Sequence, residues 1–421
     1  MGGSHAATSA KGSSIASFAF EFVRNLGFMY YEGPDLGEMM ATAGRIKEGD
    51  FESWFTEWDK LAERTLSRAD ANLAAGYTES ARTSYLRAST YLRTAEFYLH
   101  GDPADRRILS ESRASQKAYH EAAKLIGATW ESVQIPYEGT TLPGYFYKVD
   151  GSGRPRPTLI FHGGFDSSLE ELFYFGAAAA TRHGYNCLTF DGPGQGAPIR
   201  EGKLYHRHDW EAVVTPAVDY ALTRPDVDGD NLALMGMSLG GYFAARAAAF
   251  EHRFRAVILF DGMYSFYETL QEIAPKGALT ALEVGDAKTC EEIIRDGMKI
   301  NAGLRWAIDQ GVWSFGVSSI ADFINKTKFY TVDGIVDKID CPCLVMEGEG
   351  DMFLRGQPQQ VYDALKSSKL LVKFTSEDGA ENHCQSGALA YKDEVVFNWL
   401  DETLKLREGA PAWYALEPTL V

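Results

Sequence analysis

Residues 231–250, Asn-Leu-Ala-Leu-Met-Gly-Met-Ser-Leu-Gly-Gly-Tyr-Phe-Ala-Ala-Arg-Ala-Ala-Ala-Phe, limit what this chain can fold into more than any other stretch. Leu232 to Met235 read as a short buried strand, and Gly241 to Phe250 as an Ala-rich helix. Between them, Gly236-Met237-Ser238-Leu239-Gly240 matches the G-x-S-x-G turn that presents a nucleophile. A serine on so sharp a strand-to-helix turn has a sparsely populated backbone conformation, so small residues must flank it where neighbouring chains crowd. The turn lifts the hydroxyl above the sheet, and the N-terminus of the helix behind it offers N–H groups to an oxyanion. A glycine-rich turn with a bystander serine would share the five residues. It would not need a buried strand before them and a helix after them, and both are here. Ser238 is the candidate nucleophile.

With 421 residues, 45% of them hydrophobic, the chain can fill two or three domains. Its formal charge of −17 and pI near 5.0 argue against a nucleic-acid partner or an anionic membrane surface. No apolar run approaches the roughly 20 residues of a membrane span. Residues Met1 to Ser14 lack the apolar centre of a secretory signal, and Ala6 stands where a myristoylation signal has Ser or Thr. Five scattered cysteines indicate a reducing compartment, and a cytoplasmic location is expected. Cys341 and Cys343 have no second cluster to complete a metal site.

Taken in order, residues 1–15 are expected to be disordered and 16–128 to form a helical domain. Trp54, Trp58, Leu61, Ala62 and Thr65 recur at helical spacing, as do Ala81, Tyr85, Ala88, Leu92 and Ala95 after a helix-ending Gly76. Arg82, Arg87 and Arg93 lie mostly off that second stripe. Asp102-Pro103 opens a third helical segment. Near Trp130 the period changes to two, and Glu131–Tyr137 and Leu142–Val149 flank a Glu-Gly-Thr hairpin turn. Buried strands then alternate with helices at 158–161, 186–190, 232–235, 256–260, 343–346 and 371–374, the signature of a mostly parallel sheet covered on both faces. Core segments are expected at 129–262 and 341–421. The roughly 80 residues between Phe260 and Cys341 exceed any crossover, so 263–340 read as an inserted helical cap. Its aromatics, Trp306, Trp313, Phe315 and Phe323, could line an apolar pocket or form the cap's own core. The cap and the helical domain together are expected to close over the site.

A serine nucleophile needs a base and a group to hold that base. The strand ending in Gly348-Glu-Gly-Asp351 puts Asp351 at the carboxyl edge of the sheet, where open α/β folds keep their sites. His383 lies on the loop past the next strand, so the chain order is Ser, Asp, His. In these roles His383 takes the Ser238 proton and Asp351 orients the imidazole. Asp261, at the end of the strand before the cap, is a rival acid or a substrate contact. Leu159-Ile-Phe-His162-Gly-Gly-Phe165 is a strand running into a Gly-Gly loop, where this arrangement places its second oxyanion donor. The expected donors are the N–H of Leu239 and that of Gly164 or Phe165, with His162 structural. Asp191-Gly-Pro-Gly-Gln-Gly196 lacks the Lys-Ser/Thr of a phosphate loop and reads as a tight turn at the pocket rim. Tyr264, Trp313 and Phe315 join Asp261 as candidate substrate contacts.

Gly163-Gly-Phe-Asp-Ser-Ser-Leu-Glu-Glu171, the Asp191–Gly196 turn, Gly236-Met-Ser-Leu-Gly-Gly241, Gly379-Ala-Glu-Asn-His-Cys384 and the helical Ser80–Ser89 carry a specific resemblance. The chain resembles α/β-hydrolases of the 2,6-dihydroxypseudooxynicotine hydrolase type, together with the fungal hydrolases that shorten polyketides. The likeness covers nearly everything after residue 15. It implies an α/β-hydrolase fold with an N-terminal helical domain and an inserted cap. It also implies hydrolysis of a carbon–carbon bond beside a ketone in an aromatic or polyketide substrate, no metal or cofactor, and a homodimer. Some such enzymes use a glutamate near the nucleophile, for which Asp261 is the nearest counterpart here. Two other readings stand beside this one. A carboxylesterase or thioesterase acting on a bulky ester would use the same three residues. A non-catalytic regulatory protein on the same fold would be expected to have lost one of them.

Overall fold

The computed structural model describes residues 14–127 and 129–406. Residues 1–13 of the segment expected to be disordered lie outside that range, while Ser14 already opens the first helix. The described chain falls into two compact units. One contains the residues up to Ile126 together with Tyr267–Thr327, and the other Gly127–Phe266 together with the residues from Lys328 onward. The N-terminal helices and the inserted helices therefore cluster as one body. The insertion's two ends stay with the sheet, because they pair with each other: Val332 N–H donates to the Tyr264 carbonyl at 3.0 Å and Phe266 N–H to the Tyr330 carbonyl at 2.9 Å. The insertion that joins the helical body is thus shorter at both ends than residues 263–340.

The helical unit is built from α1 (Ser14–Gly27), α2 (Leu36–Ala43), α3 (Phe51–Ala74), α4 (Thr78–Glu96) and α5 (Arg106–Ile126). Inserted helices at Phe266–Ile273, Ala278–Glu283, Ala287–Ile300, Ala302–Ser314 and Ile320–Thr327 join it. Asp35 and Asp50 cap α2 and α3 by accepting their free N–H groups. Gly76, at φ +81°, ends the turn after α3 in the left-handed region that favours glycine. The stripe of Trp54, Trp58, Leu61, Ala62 and Thr65 is buried as its spacing predicts. Trp58 stacks on Tyr91 at 5.9 Å, and Phe97 stacks on Trp306 of the insertion at 5.1 Å. The amphipathic pattern fails in the second half of α4, where every residue from Ala88 to Glu96 is buried, Arg93 among them. Its guanidinium pairs with Glu21 of α1 at 3.1 Å and lies 4.8 Å over the Phe97 ring. Those partners make burial of its charge tolerable.

The second unit is an eight-stranded sheet of β1 (Trp130–Tyr137), β2 (Thr140–Tyr147), β3 (Arg156–His162), β4 (Asn186–Phe190), β5 (Val227–Met237), β6 (Ala256–Phe260), β7 (Cys343–Gly348) and β8 (Lys369–Phe374). Their spatial order is β1-β2-β4-β3-β5-β6-β7-β8. β1 and β2 form the antiparallel hairpin read from the sequence, β2 joins β4 antiparallel, and every later pairing is parallel. All five residues of β4 and of β6 are buried, which is why those strands read as unbroken apolar runs. Parallel strands share one carboxyl edge, so the loops after β3, β4, β5, β6, β7 and β8 collect there. No helix among the described residues is long and apolar enough to cross a membrane.

Candidate active site

The site begins at the turn between β5 and the helix Leu239–Ala248. Ser238 sits there at φ +63° and ψ −126°, a strained conformation for a residue with a side chain, and its N–H is anchored on the Phe260 carbonyl at 2.9 Å. The flanking glycines have steric causes. A Cβ on Gly236 would lie 1.9 Å from the Gly240 carbonyl oxygen, and one on Gly240 would lie 2.6 Å from the Gly163 carbonyl oxygen. The hydroxyl is therefore raised on a turn that only this pattern can close.

His383, on the loop after β8, brings Nε2 to 2.9 Å from Ser238 Oγ, and its Nδ1 lies 2.7 Å from Asp351 Oδ2. Asp351 follows β7, and its other oxygen accepts from the N–H groups of Phe353 at 2.7 Å and Leu354 at 3.0 Å. Burial opposes the Asp351 charge, but His383 and these two donors outweigh it and hold the carboxyl below its ordinary value. Burial likewise opposes the imidazolium, yet the Asp351 charge, with the hydrogen bonds that the ring donates to Asp261 and Asp351, lifts His383 well above the ordinary histidine value. The charged pair is thus the stabilised state, and it is the state that removal of the Ser238 proton produces. The Phe353 ring stands edge-on to the imidazole, 5.0 Å away, and shields it.

Asp261, fully buried, brings Oδ2 to 3.1 Å from His383 Nδ1. The same oxygen accepts from the Cys384 N–H, and Oδ1 accepts from Gln385 Nε2 at 3.1 Å. Cys384 and Gln385 have φ of +53° and +41°. Asp261 therefore fastens a strained loop as well as touching the histidine, and Asp351 has the shorter, better isolated contact. Asp261, His383 and Cys384 are also the group among the described residues whose donor atoms, all within 4.8 Å, could share a metal ion. Their donors are already committed. Both His383 nitrogens are engaged, and burial pushes the Cys384 thiol up to about 12, keeping it protonated.

The Gly-Gly loop after β3 lies directly on the elbow: a Cβ on Gly164 would come within 2.8 Å of the Leu239 nitrogen. The Gly164 N–H donates to Ser167 Oγ at 2.8 Å. Leu239 opens its helix, so its N–H has no acceptor within that helix. His162 is buried, and burial lowers it to about 4 against a hydrogen bond with the Gly163 carbonyl, which makes it a neutral packing residue. Tyr264 directs its hydroxyl to Asp333 at 3.0 Å. Trp313 and Phe315 belong to the helical unit, where Trp313 packs against His100 at 4.5 Å and the fully buried Phe315 against Phe323 at 5.2 Å. Sequence reasoning missed Phe353 and Gln195, whose side chains hold other parts of the site in place. Only the glutamine had a signal, its position inside the Asp191–Gly196 motif.

A parallel sheet entered by an antiparallel hairpin, with a serine elbow after β5 and a histidine past β8, defines an α/β-hydrolase. The chain belongs to the esterase FrsA-like family, whose sequence profile matches residues 44–270. It is 38% identical over 412 residues to Hydrolase LUC6 of a Fusarium species, spanning 93% of this chain and 97% of that one. Against the 20-hydroxy-prefusarin hydrolase FUS2 of Gibberella moniliformis it is 35% identical over 417 residues, with the same two coverages. Among solved structures, the 2,6-dihydroxy-pseudo-oxynicotine hydrolase shares the fold with a TM-score of 0.73 at 22% identity, over 92% of this chain and 98% of that one. The chain is a hydrolase.

Proposed function

We propose that this hydrolase cleaves a carbon–carbon bond next to a ketone in a β-diketone-type substrate, with Ser238 as nucleophile. The observation that carries the serine mechanism is the unbroken relay of 2.9 Å and 2.7 Å from Ser238 through His383 to Asp351. In the first step Ser238 Oγ bonds to the ketone carbon while His383 takes its proton. The oxyanion rests on the N–H of Leu239 and on a donor from the Gly-Gly loop. Of the two candidates there, Phe165 is favoured, because Gly164 already donates to Ser167. As the tetrahedral centre collapses, the C–C bond breaks and its electron pair leaves on the neighbouring carbon as an enolate. His383 then protonates that enolate. Water, deprotonated by His383, attacks the acyl-serine, releasing a carboxylic acid and restoring the Ser238 hydroxyl.

The preference for a C–C bond and for an aromatic or polyketide-like substrate rests on the motif resemblance. The relative named a 20-hydroxy-prefusarin hydrolase supports hydrolysis of an organic small molecule. One observation favours the esterase reading instead, namely that the matching family is named for an esterase. The two readings differ only in the leaving group. A fluorophosphonate probe should label Ser238 in either case. A matched pair, one bulky β-diketone and an ester of the same acyl group with an alcohol the size of the departing ketone, separates them: higher kcat/KM on the diketone is expected. Turnover of the ester alone would make the protein an esterase.

A further inference from the structure

The turn Asp191–Gly196 after β4 supplies no member of the relay, yet its Gln195 is only 1% exposed. Every hydrogen bond of its amide goes to the backbone. Nε2 donates to the Gly163 carbonyl at 2.8 Å and to the Gly164 carbonyl at 2.9 Å, and Oε1 accepts from the Gly192 N–H at 2.8 Å. The orientation of the amide is forced, since two carbonyls need a donor and one N–H needs an acceptor. A second tie joins the same loops, from the Gly196 N–H to the Ser167 carbonyl at 3.2 Å.

Holding two successive carbonyls fixes two successive peptide planes. In a trans peptide the C=O and the following N–H point in opposite directions. With the Gly163 carbonyl held on Gln195, the Gly164 N–H faces away, and it meets Ser167 Oγ. With the Gly164 carbonyl held on the same nitrogen, the Phe165 N–H also faces away from Gln195. This loop is packed against the nucleophile's turn without side chains between them. A Cβ on Gly164 would lie 2.6 Å from the Met237 carbonyl oxygen and 3.0 Å from Ser238 Cβ. Small rotations of the Gly164–Phe165 peptide therefore re-aim a dipole right beside Ser238.

We propose that Gln195 is a positioning residue of the oxyanion site: by clamping the Gly163 and Gly164 carbonyls it aims the Phe165 N–H at the oxygen of the reacting carbonyl. This assignment rests on the serine-hydrolase reading above. An oxyanion donor acts in the transition state more than in the ground state, so losing its aim should lower kcat and leave KM nearly unchanged. Direct removal of such a donor costs roughly 10²–10³ in kcat, and a loosened one should lose on the order of 10–10².

The test compares wild type, Gln195→Met and Gln195→Glu on p-nitrophenyl butyrate, with active sites counted by fluorophosphonate titration so that kcat refers to folded, labelled protein. Both variants should show kcat reduced about 10- to 100-fold at a KM within about threefold of wild type. Gln195→Glu adds a signature of its own. A protonated glutamic acid keeps one donor for the two carbonyls, so its kcat relative to wild type should fall as pH rises and that proton is lost. If Gln195→Glu does not fold, Gln195→Met, uncharged and of similar length, carries the comparison. If neither folds, Gln195→Asn, which keeps the amide but shortens its reach, is read the same way. A kcat per labelled site within about twofold of wild type, with only a lower melting temperature, would make Gln195 structural and overturn the inference. Wild type that neither labels nor turns over the ester would instead overturn the serine-hydrolase reading itself.

Discussion

Asp351 and Asp261 both reach His383 Nδ1, and replacing each by asparagine should have very different consequences. At Asp351 the two carboxylate oxygens are not equivalent. Oδ1 accepts two backbone N–H groups, from Phe353 and Leu354, so an asparagine must keep its carbonyl oxygen there. Its NH2 is then forced toward His383 Nδ1, where Asp351 Oδ2 stood at 2.7 Å. That donor selects the imidazole tautomer protonated on Nε2, which cannot accept the Ser238 proton. In a comparable triad the wrong tautomer costs about 10⁴ in kcat, equivalent to about 5.4 kcal/mol. Asparagine at 261 has an escape. Its oxygen can keep both the Cys384 N–H and His383, while its NH2 turns to Gln385, whose buried amide oxygen lacks a hydrogen-bond partner and can rotate to accept it. What is lost is the charge in one hydrogen bond, about 1.5–3 kcal/mol, or roughly 10- to 100-fold at most. The assay is kcat on an activated ester, with circular dichroism to establish that both variants are folded. A larger loss for Asp261→Asn than for Asp351→Asn would refute this reasoning and transfer the orienting role to Asp261.

The pH profile provides a second check. His383 must be neutral to accept a proton, so kcat/KM should climb as pH rises through its pKa. Burial pulls that pKa down, but Asp351 and Asp261 raise it above the ordinary histidine value, so the climb should lie on the alkaline side of that value. Asp261→Asn removes one raising contribution and should move the climb to lower pH; a shift to higher pH, or none, would count against the contact. In the helical unit, Trp58→Ala deletes a fully buried indole packed on Trp54 and Tyr91 and should destabilise by about 3–5 kcal/mol. Thermal denaturation should show a lower melting temperature. Losses on bulky and small substrates should be equal, whereas a loss confined to the bulky one at unchanged melting temperature would give Trp58 a place in substrate binding.

Much of the sheet was legible because its central strands are buried on both faces and show as uninterrupted apolar runs, as at Ala256–Phe260. The sharp turn at Ser238 was legible because it needs small residues at fixed spacing within one short stretch of chain. What the sequence hid depends on distant pairings. Arg93 could be read only as lying mostly off the apolar stripe of its helix, because its partner Glu21 lies 72 residues earlier. The ends of the insertion looked like cap, because the pairing of 264–266 with 330–332 leaves no pattern in either segment alone. Gln195 looked like a turn residue, since a side chain that bonds only to backbone groups demands no particular residue type from its partners. Asp261 could be placed at the strand end but not weighed against Asp351, a choice set by which oxygen faces which donor.

Intact-protein mass spectrometry of enzyme quenched during turnover of a bulky β-diketone shows whether Ser238 carries the acyl group. Wild type should gain the mass of the acyl fragment, mapped to the peptide containing Ser238. Ser238→Ala should gain nothing and lose several orders of magnitude in kcat. Turnover by Ser238→Ala at more than roughly a tenth of the wild-type rate, with no adduct on either protein, would contradict that role.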